Sequence, residues 1–179
     1  MAVSDSSAEC ALSIRFSGVA ISGGTVRDAA NNTVATIGSA TNETVVNVPK
    51  GSGYRGLLRQ GNSTQTVATG VNCTADTAQV DGIVNSLTIN FPGVTISEAR
   101  VRDAGNNQIA QQTGSFDGAV SFTVLRGSNY RVELRQGNST QTSAGVDCSG
   151  ATATLDNIVC QLNIDFTGVT VTDARVRDA

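Results

Sequence analysis

The chain has no histidine and no tryptophan, two prolines, and Lys50 as its only lysine among 179 residues. Without histidine it lacks the side chain that most often serves as a general base near neutral pH. It has no Gly-x-Ser-x-Gly element and no glycine loop built to cradle phosphate, and its carboxylates fall mostly in turn-forming clusters. No acid, base and nucleophile set can be assembled, so the sequence points away from an enzyme and implies no cofactor. The turns Asp103-Ala-Gly-Asn-Asn and Asp117-Gly lack the ligand spacing of a calcium loop, and no metal is expected. Arginines are scattered as Arg-x-Arg pairs in a chain of net charge −3, which gives nucleic acid nothing to bind. No apolar run is long enough to span a bilayer, and Met1 to Ser7 has neither the basic start nor the apolar core of a signal peptide.

What the sequence has is repetition. The stretch Leu87 to Ala104 returns at Leu12 to Ala29 and at Leu162 to Ala179, a period of about 75 residues. Leu58-Arg-Gln-Gly-Asn-Ser-Thr-Gln-Thr66 recurs unchanged as Leu134 to Thr142, Tyr54-Arg55 as Tyr130-Arg131, and Cys73 as Cys148. The expected division is an arm at 1–9, repeat 1 at 10–84, repeat 2 at 85–159 and the opening strands of repeat 3 at 160–179. So small a unit buries little surface alone and calls for a crosslink or a packed neighbour.

Threonine, serine, asparagine, glycine and valine dominate, which favours strands and turns and predicts an all-β protein. Leu12, Ile14 and Phe16 alternate with polar residues as in a strand with one buried face, and Gly18 is expected to end it. Asp28-Ala-Ala-Asn-Asn and Asp103-Ala-Gly-Asn-Asn read as turns. Asp117-Gly118 and Asp81-Gly82 read as hairpin signals, the second folding the last strand of repeat 1 against the first of repeat 2 through a shared sheet or a tight joint.

Four cysteines, with no Cys-x-x-Cys and no histidine, suit disulfides better than zinc, and place the chain in an oxidising compartment. Cys10 with Cys73 would close a long loop worth about 4 kcal/mol in the chain-entropy model. Cys148 matches Cys73, but Asn85 stands where Cys10 would be, so Cys148 is expected to pair with Cys160; free buried thiols are the alternative.

The order Val-Arg-Asp-Ala-Gly-Asn-Asn, then Asp117-Gly-Ala-Val-Ser-Phe-Thr-Val-Leu-Arg-Gly-Ser-Asn-Tyr-Arg-Val-Glu-Leu, resembles the prealbumin-like β-sandwich of collagen-adhesin B-type repeats and carboxypeptidase regulatory-like domains. In repeat 1 Asn42-Glu43 stands where that pattern has Asp-Gly. The resemblance implies tandem Ig-like sandwiches, two full and one partial, of the kind that form stalks of surface adhesins and pilins. Many such domains carry a Lys to Asn isopeptide bond. Lys50 lies in a turn and Arg126 takes its place in repeat 2, so that bond is not expected and disulfides would substitute.

The resulting expectation is a structural subunit of an extracellular or cell-surface filament, stalk or sheath, with the chain itself as partner. Repeat 3 carries Leu162, Ile164, Phe166, Val169, Val171 and Val176, an apolar face for a neighbouring molecule's sheet or for the rest of a longer array. The rival reading is an adhesin-type module that grasps a glycan or host protein through Gln60 to Thr64 and Gln136 to Thr140, loops without an aromatic platform. Arg100, Arg102 and Asp103, with their copies, read as solvated strand faces carrying local Arg to Asp pairs. Asn-x-Ser/Thr sequons at Asn31, Asn42, Asn62, Asn72 and Asn138 offer glycan attachment points.

Overall fold

The computed structural model describes residues 8–160, 162, 167, 168, 170–173 and 175. The elements are strands: β1 Glu9–Ile21, β2 Gly23–Arg27, β3 Thr33–Ile37, β4 Ala40–Pro49, β5 Gly51–Gln60, β6 Ser63–Cys73, β7 Thr77–Val80, β8 Val84–Arg102, β9 Gln108–Leu125, β10 Gly127–Gln136, β11 Ser139–Cys148 and β12 Thr152–Leu155. The protein is all-β among its described residues.

Alternation sets the faces. Cys10, Leu12, Ile14 and Phe16 are buried on β1, as are Leu87, Ile89 and Phe91 on β8, while the residues between them point outward. Two hydrophobic cores result, one around Leu12, Ile14, Phe16, Val26 and Leu58, the other around Leu87, Ile89, Phe91, Val101 and Tyr130. Around the first, β4-β1-β7 form one sheet and β3-β2-β5-β6 another, with β1–β7 parallel and the other pairs antiparallel. Around the second, β9 pairs with β8 along nearly its whole length, β10 and β11 follow on one side, and β12 runs parallel to the start of β8. The pairings match: β8 does the work of β1 and β2, and β9 that of β3 and β4.

Gly18 does not end its strand. It sits at φ 80 inside β1, where the register with β4 shifts between Phe16 and Ala20. A bulge of this kind bends a strand without terminating it, and the Asn42 side chain secures the bend by accepting the Gly18 N–H at 2.8 Å. Asp117-Gly118 is likewise no hairpin. Phe91 pairs with Gly118 and Thr95 with Asp117, so Gly118, at φ 75, marks the matching bend inside β9. Asn42 takes the same left-handed conformation, at φ 71, opposite Phe16. Asparagine tolerates that region better than other side-chain-bearing residues, which explains how it replaces glycine there. The true turns of these long bent hairpins are Asp28–Asn32 and Asp103–Asn107.

Asp81-Gly82 also fails as a hairpin, since β7 pairs with β1 and not with β8. Val80 and Ile83 both enter the first core, and the Ile83 carbonyl accepts the Arg126 N–H at 2.8 Å. The chain is therefore carried across to the second core instead of folding back.

Cys10 and Cys73 form a disulfide with a Cα–Cα distance of 5.7 Å. The expected Cys148–Cys160 bridge is not formed: Cys148 is a buried free thiol and Cys160 an exposed one. The place that Cys10 fills in the first core belongs to Asn85 in the second, whose amide donates to the Gly150 carbonyl at 3.0 Å. Burial pushes the Cys148 thiol up to about 11, with Asp147 adding to the effect, so it stays protonated. In native protein one thiol, Cys160, should react with a thiol reagent, and the second only after denaturation. Replacing Asn85 by cysteine should close a bridge to Cys148 and raise the urea midpoint, in the range of a few kcal/mol expected for such a loop. A third reactive thiol in that variant would contradict the equivalence of the two cores.

Candidate functional site: the joint between the cores

The β5–β6 turn is where the two halves of the chain meet. Its backbone is fixed from behind: the Ser22 N–H donates to the Arg59 carbonyl at 2.8 Å, and the Ser22 hydroxyl reaches the carbonyls of Arg59 and Gly61. Gly61 at φ 56 makes the tight reversal, and Gln60 and Ser63 on either side of the turn are buried.

Polar groups buried at this density need partners, and the partners lie on the second half. The Gln60 side-chain amide donates to the Thr123 carbonyl at 3.1 Å, and its oxygen accepts the Leu125 N–H at 2.9 Å. The amide thus satisfies the β9 backbone as a strand would. The Asn62 N–H donates to the Gln108 carbonyl at 2.8 Å. The Ser63 hydroxyl donates to Asp103 Oδ2 at 2.6 Å and itself accepts from the Gln65 amide at 2.7 Å.

Asp103 belongs to the turn of the second bent hairpin, where the Asn107 N–H and amide also donate to its carboxylate. Burial opposes its ionisation, but the hydrogen bonds from Ser63 and Asn107 outweigh it and hold the carboxyl below its ordinary 3.8. Apolar contacts seal the joint: Leu125, carried on β9, is fully buried in the first core beside Ile83. Near it the Tyr130 hydroxyl donates to the Leu125 carbonyl at 2.7 Å, as the Tyr54 hydroxyl does to the Pro49 carbonyl at 2.5 Å. Burial raises the Tyr130 phenol, so the donor persists throughout the ordinary pH range.

No family model matches the chain, and no curated protein does. Among solved structures, the Bacillus anthracis TIE protein is similar at 10% identity with a TM-score of 0.33, over 83% of this chain and 33% of that one. The BSP domain of a biofilm associated protein is similar at 18% identity with a TM-score of 0.25, over 74% of this chain and 26% of that one. The chain thus spans about a third and about a quarter of these two structures.

The other residues singled out in the sequence are dispersed. Arg100 and Arg102 do not pair with Asp103. Arg100 Nη2 lies 2.7 Å from Glu98 and Arg102 Nε 2.9 Å from Glu133, with Arg135 at 3.9 Å from Glu98, forming a ladder across β8 and β10. In repeat 1, Gly23 and Leu57 stand where Glu98 and Glu133 do, so the ladder is particular to the second half. Asn31, Asn42, Asn62, Asn72 and Asn138 are exposed. In the Asn62 sequon, however, the next residue is Ser63, enclosed in the joint. Of the apolar face expected in repeat 3, Leu162 and Val171 are exposed, at 60% and 40%. Ile164, Phe166, Val169 and Val176 lie outside the described residues. Among the described residues there is no group of three or more potential metal ligands, and no helix is long and apolar enough to cross a membrane. Sequence reasoning missed the role of Gln60 and Ser63. The available signal was the unchanged Leu58–Thr66 repeat, since a plain solvent turn has little need of nine identical residues.

A Cβ on Gly61 would lie 2.5 Å from the Gln108 carbonyl oxygen and 2.7 Å from that of Ile109, both backbone atoms that cannot yield cheaply. Gly61→Ala should therefore cost about 2 kcal/mol or more in urea unfolding. Gly137→Ala, at the same φ but with nothing within 4 Å, should cost only the left-handed penalty of about 1–2 kcal/mol. The Asp103 shift adds a pH dependence. Its folded carboxyl loses its proton at lower pH than the unfolded one, so its stabilisation is complete above the ordinary 3.8 and is lost as pH falls through the depressed folded value. Ser63→Ala should move the Asp103 carboxyl upward in an NMR titration and shrink that loss.

Proposed function

We propose that the chain is a structural subunit of an extracellular or cell-surface filament, stalk or sheath, built from tandem prealbumin-like β-sandwich repeats joined head to tail. The observation that carries this reading is the joint. Val80 and Ile83 lead from one core into the next without a free linker, and the Gln60–Ser63 turn is buried against β9. Two β units fixed in this way favour a stiff rod over beads on a flexible string, and stiffness is what a stalk or fibre requires.

Two further observations support it. The Cys10–Cys73 disulfide suits an oxidising, extracellular setting. The exposed Leu162 and Val171 in repeat 3 suit strands that complete a further unit, whether in another molecule or in a longer array. The binding-module reading loses one of its loops, because Gln60 and Ser63 are buried in the joint. Electron microscopy of the purified chain should find ordered fibres or rods that lengthen with concentration. Isolated globules together with retention on a glycan array would replace this reading with the binding module.

A further inference from the structure

The turn that seals the joint exists twice, and among the described residues only one copy is docked. Gln136-Gly-Asn-Ser-Thr-Gln141 repeats Gln60-Gly-Asn-Ser-Thr-Gln65 residue for residue. It is held in the same shape: Gly137 has φ 57 against 56 for Gly61, and Gln136 pairs with Ser139 as Gln60 does with Ser63. The Ser97 hydroxyl reaches the Arg135 carbonyl at 3.3 Å, as Ser22 reaches Arg59. Yet Gln136 is exposed and Ser139 is half-buried, where Gln60 and Ser63 are enclosed. A loop already fixed in its docked conformation gives up little entropy on binding.

The matching acceptor also exists twice. Asp28 and Asn32 build the turn that Asp103 and Asn107 build: the Asn32 N–H donates to Asp28 Oδ1 at 2.8 Å and its amide to Oδ2 at 3.0 Å, the same distances as in the second turn. Asn32 and its hydrogen bonds hold the Asp28 carboxyl below its ordinary value, so it is ionised and ready to accept. Among the described residues no serine reaches it. One end of the molecule thus presents the donor loop and the other the acceptor turn.

We infer that the Gln136–Gln141 loop docks on the Asp28 turn of a second molecule of this chain, repeating between molecules the joint found within one. This rests on the structural-subunit reading and names the surface by which subunits meet. The Ser139 hydroxyl donates to Asp28, the Asn138 N–H to the Thr33 carbonyl in the place of Gln108, and the Gln136 amide to the Asn47 carbonyl in the place of Thr123. The Asp28 turn of a second molecule supplies both flanking strands, β3 and β4. Asp178 of repeat 3 also matches Asp103 in the sequence and is the competing acceptor. One bond is lost in the intermolecular version: Pro49 stands where Leu125 donates its N–H, and proline has none. The contact between molecules is therefore weaker than the internal one, and association is reversible and concentration-dependent.

The test is sedimentation equilibrium with electron microscopy on the full chain, comparing the wild type with Gly137→Asn, Asp28→Asn and Asp178→Asn. Asparagine accepts the left-handed conformation at position 137, where there is open space, so the fold is kept while side-chain bulk blocks docking. Unchanged circular dichroism would verify this for each variant. Gly137→Asn and Asp28→Asn should each weaken association about tenfold or more, and Asp178→Asn should leave it unchanged. Assembly unaffected by Gly137→Asn would overturn the inference and leave the filament reading standing. Loss of assembly with Asp178→Asn but not Asp28→Asn would assign the loop to repeat 3 and also overturn it. A wild type that stays monomeric into the millimolar range would overturn both.

Discussion

The structure depends on a buried amide that finds its partners only across the joint. Gln60 carries an amide NH2 and an amide oxygen into a region closed to solvent, and the Thr123 carbonyl and the Leu125 N–H bond to them. If the halves separated without water reaching the gap, each stranded group would cost about 1–3 kcal/mol. With water present, Leu125 and Ile83 would leave the first core. Polar satisfaction and apolar burial thus favour one arrangement. The Ser63–Asp103 bond adds direction, because it forms only when the β5–β6 turn of one half meets the Asp103 turn of the other.

The two halves reach similar strand pairings by different local chemistry. At the bend, Asn42 with its left-handed φ and its bond to Gly18 does what Gly118 does in the second half. At the start of the first strand, a disulfide in one half corresponds to the Asn85–Gly150 hydrogen bond in the other. Asn85 is fully buried and its side-chain oxygen has no partner there, so the second half holds its opening strand less economically. The ion ladder of Glu98, Arg100, Arg102 and Glu133 lies on that half. Its members are mostly enclosed, Glu98 most of all, and the cost of desolvating them offsets much of the attraction between them.

Strand faces and core residues were legible in the sequence because period-2 alternation is a local signal. Leu12, Ile14 and Phe16, with Leu87, Ile89 and Phe91, announced their burial without knowledge of any partner. The Asp28 and Asp103 turns were legible for the same reason. Asp117-Gly118 misled because the demand it reveals, a left-handed backbone residue, is shared by tight hairpins and by bulges within long strands. Only the register of Phe91 against Gly118 separates the two. Asp81-Gly82 misled because nothing local says that Ile83 will anchor in the core behind it. The joint was the least visible. Gln60 and Ser63 are ordinary turn residues by type, and their burial follows from a surface whose sequence lies forty or more residues away.

Gln60 ties the two halves together through the β9 backbone. Amide hydrogen exchange at Leu125 tests this most directly, since its N–H donates to the Gln60 side chain. In the wild type that amide should exchange only as fast as the whole protein unfolds. In Gln60→Ala it should exchange orders of magnitude faster, while the amides of Leu87 and Ile89 stay protected. Equal protection of Leu125 in both proteins would contradict the claim.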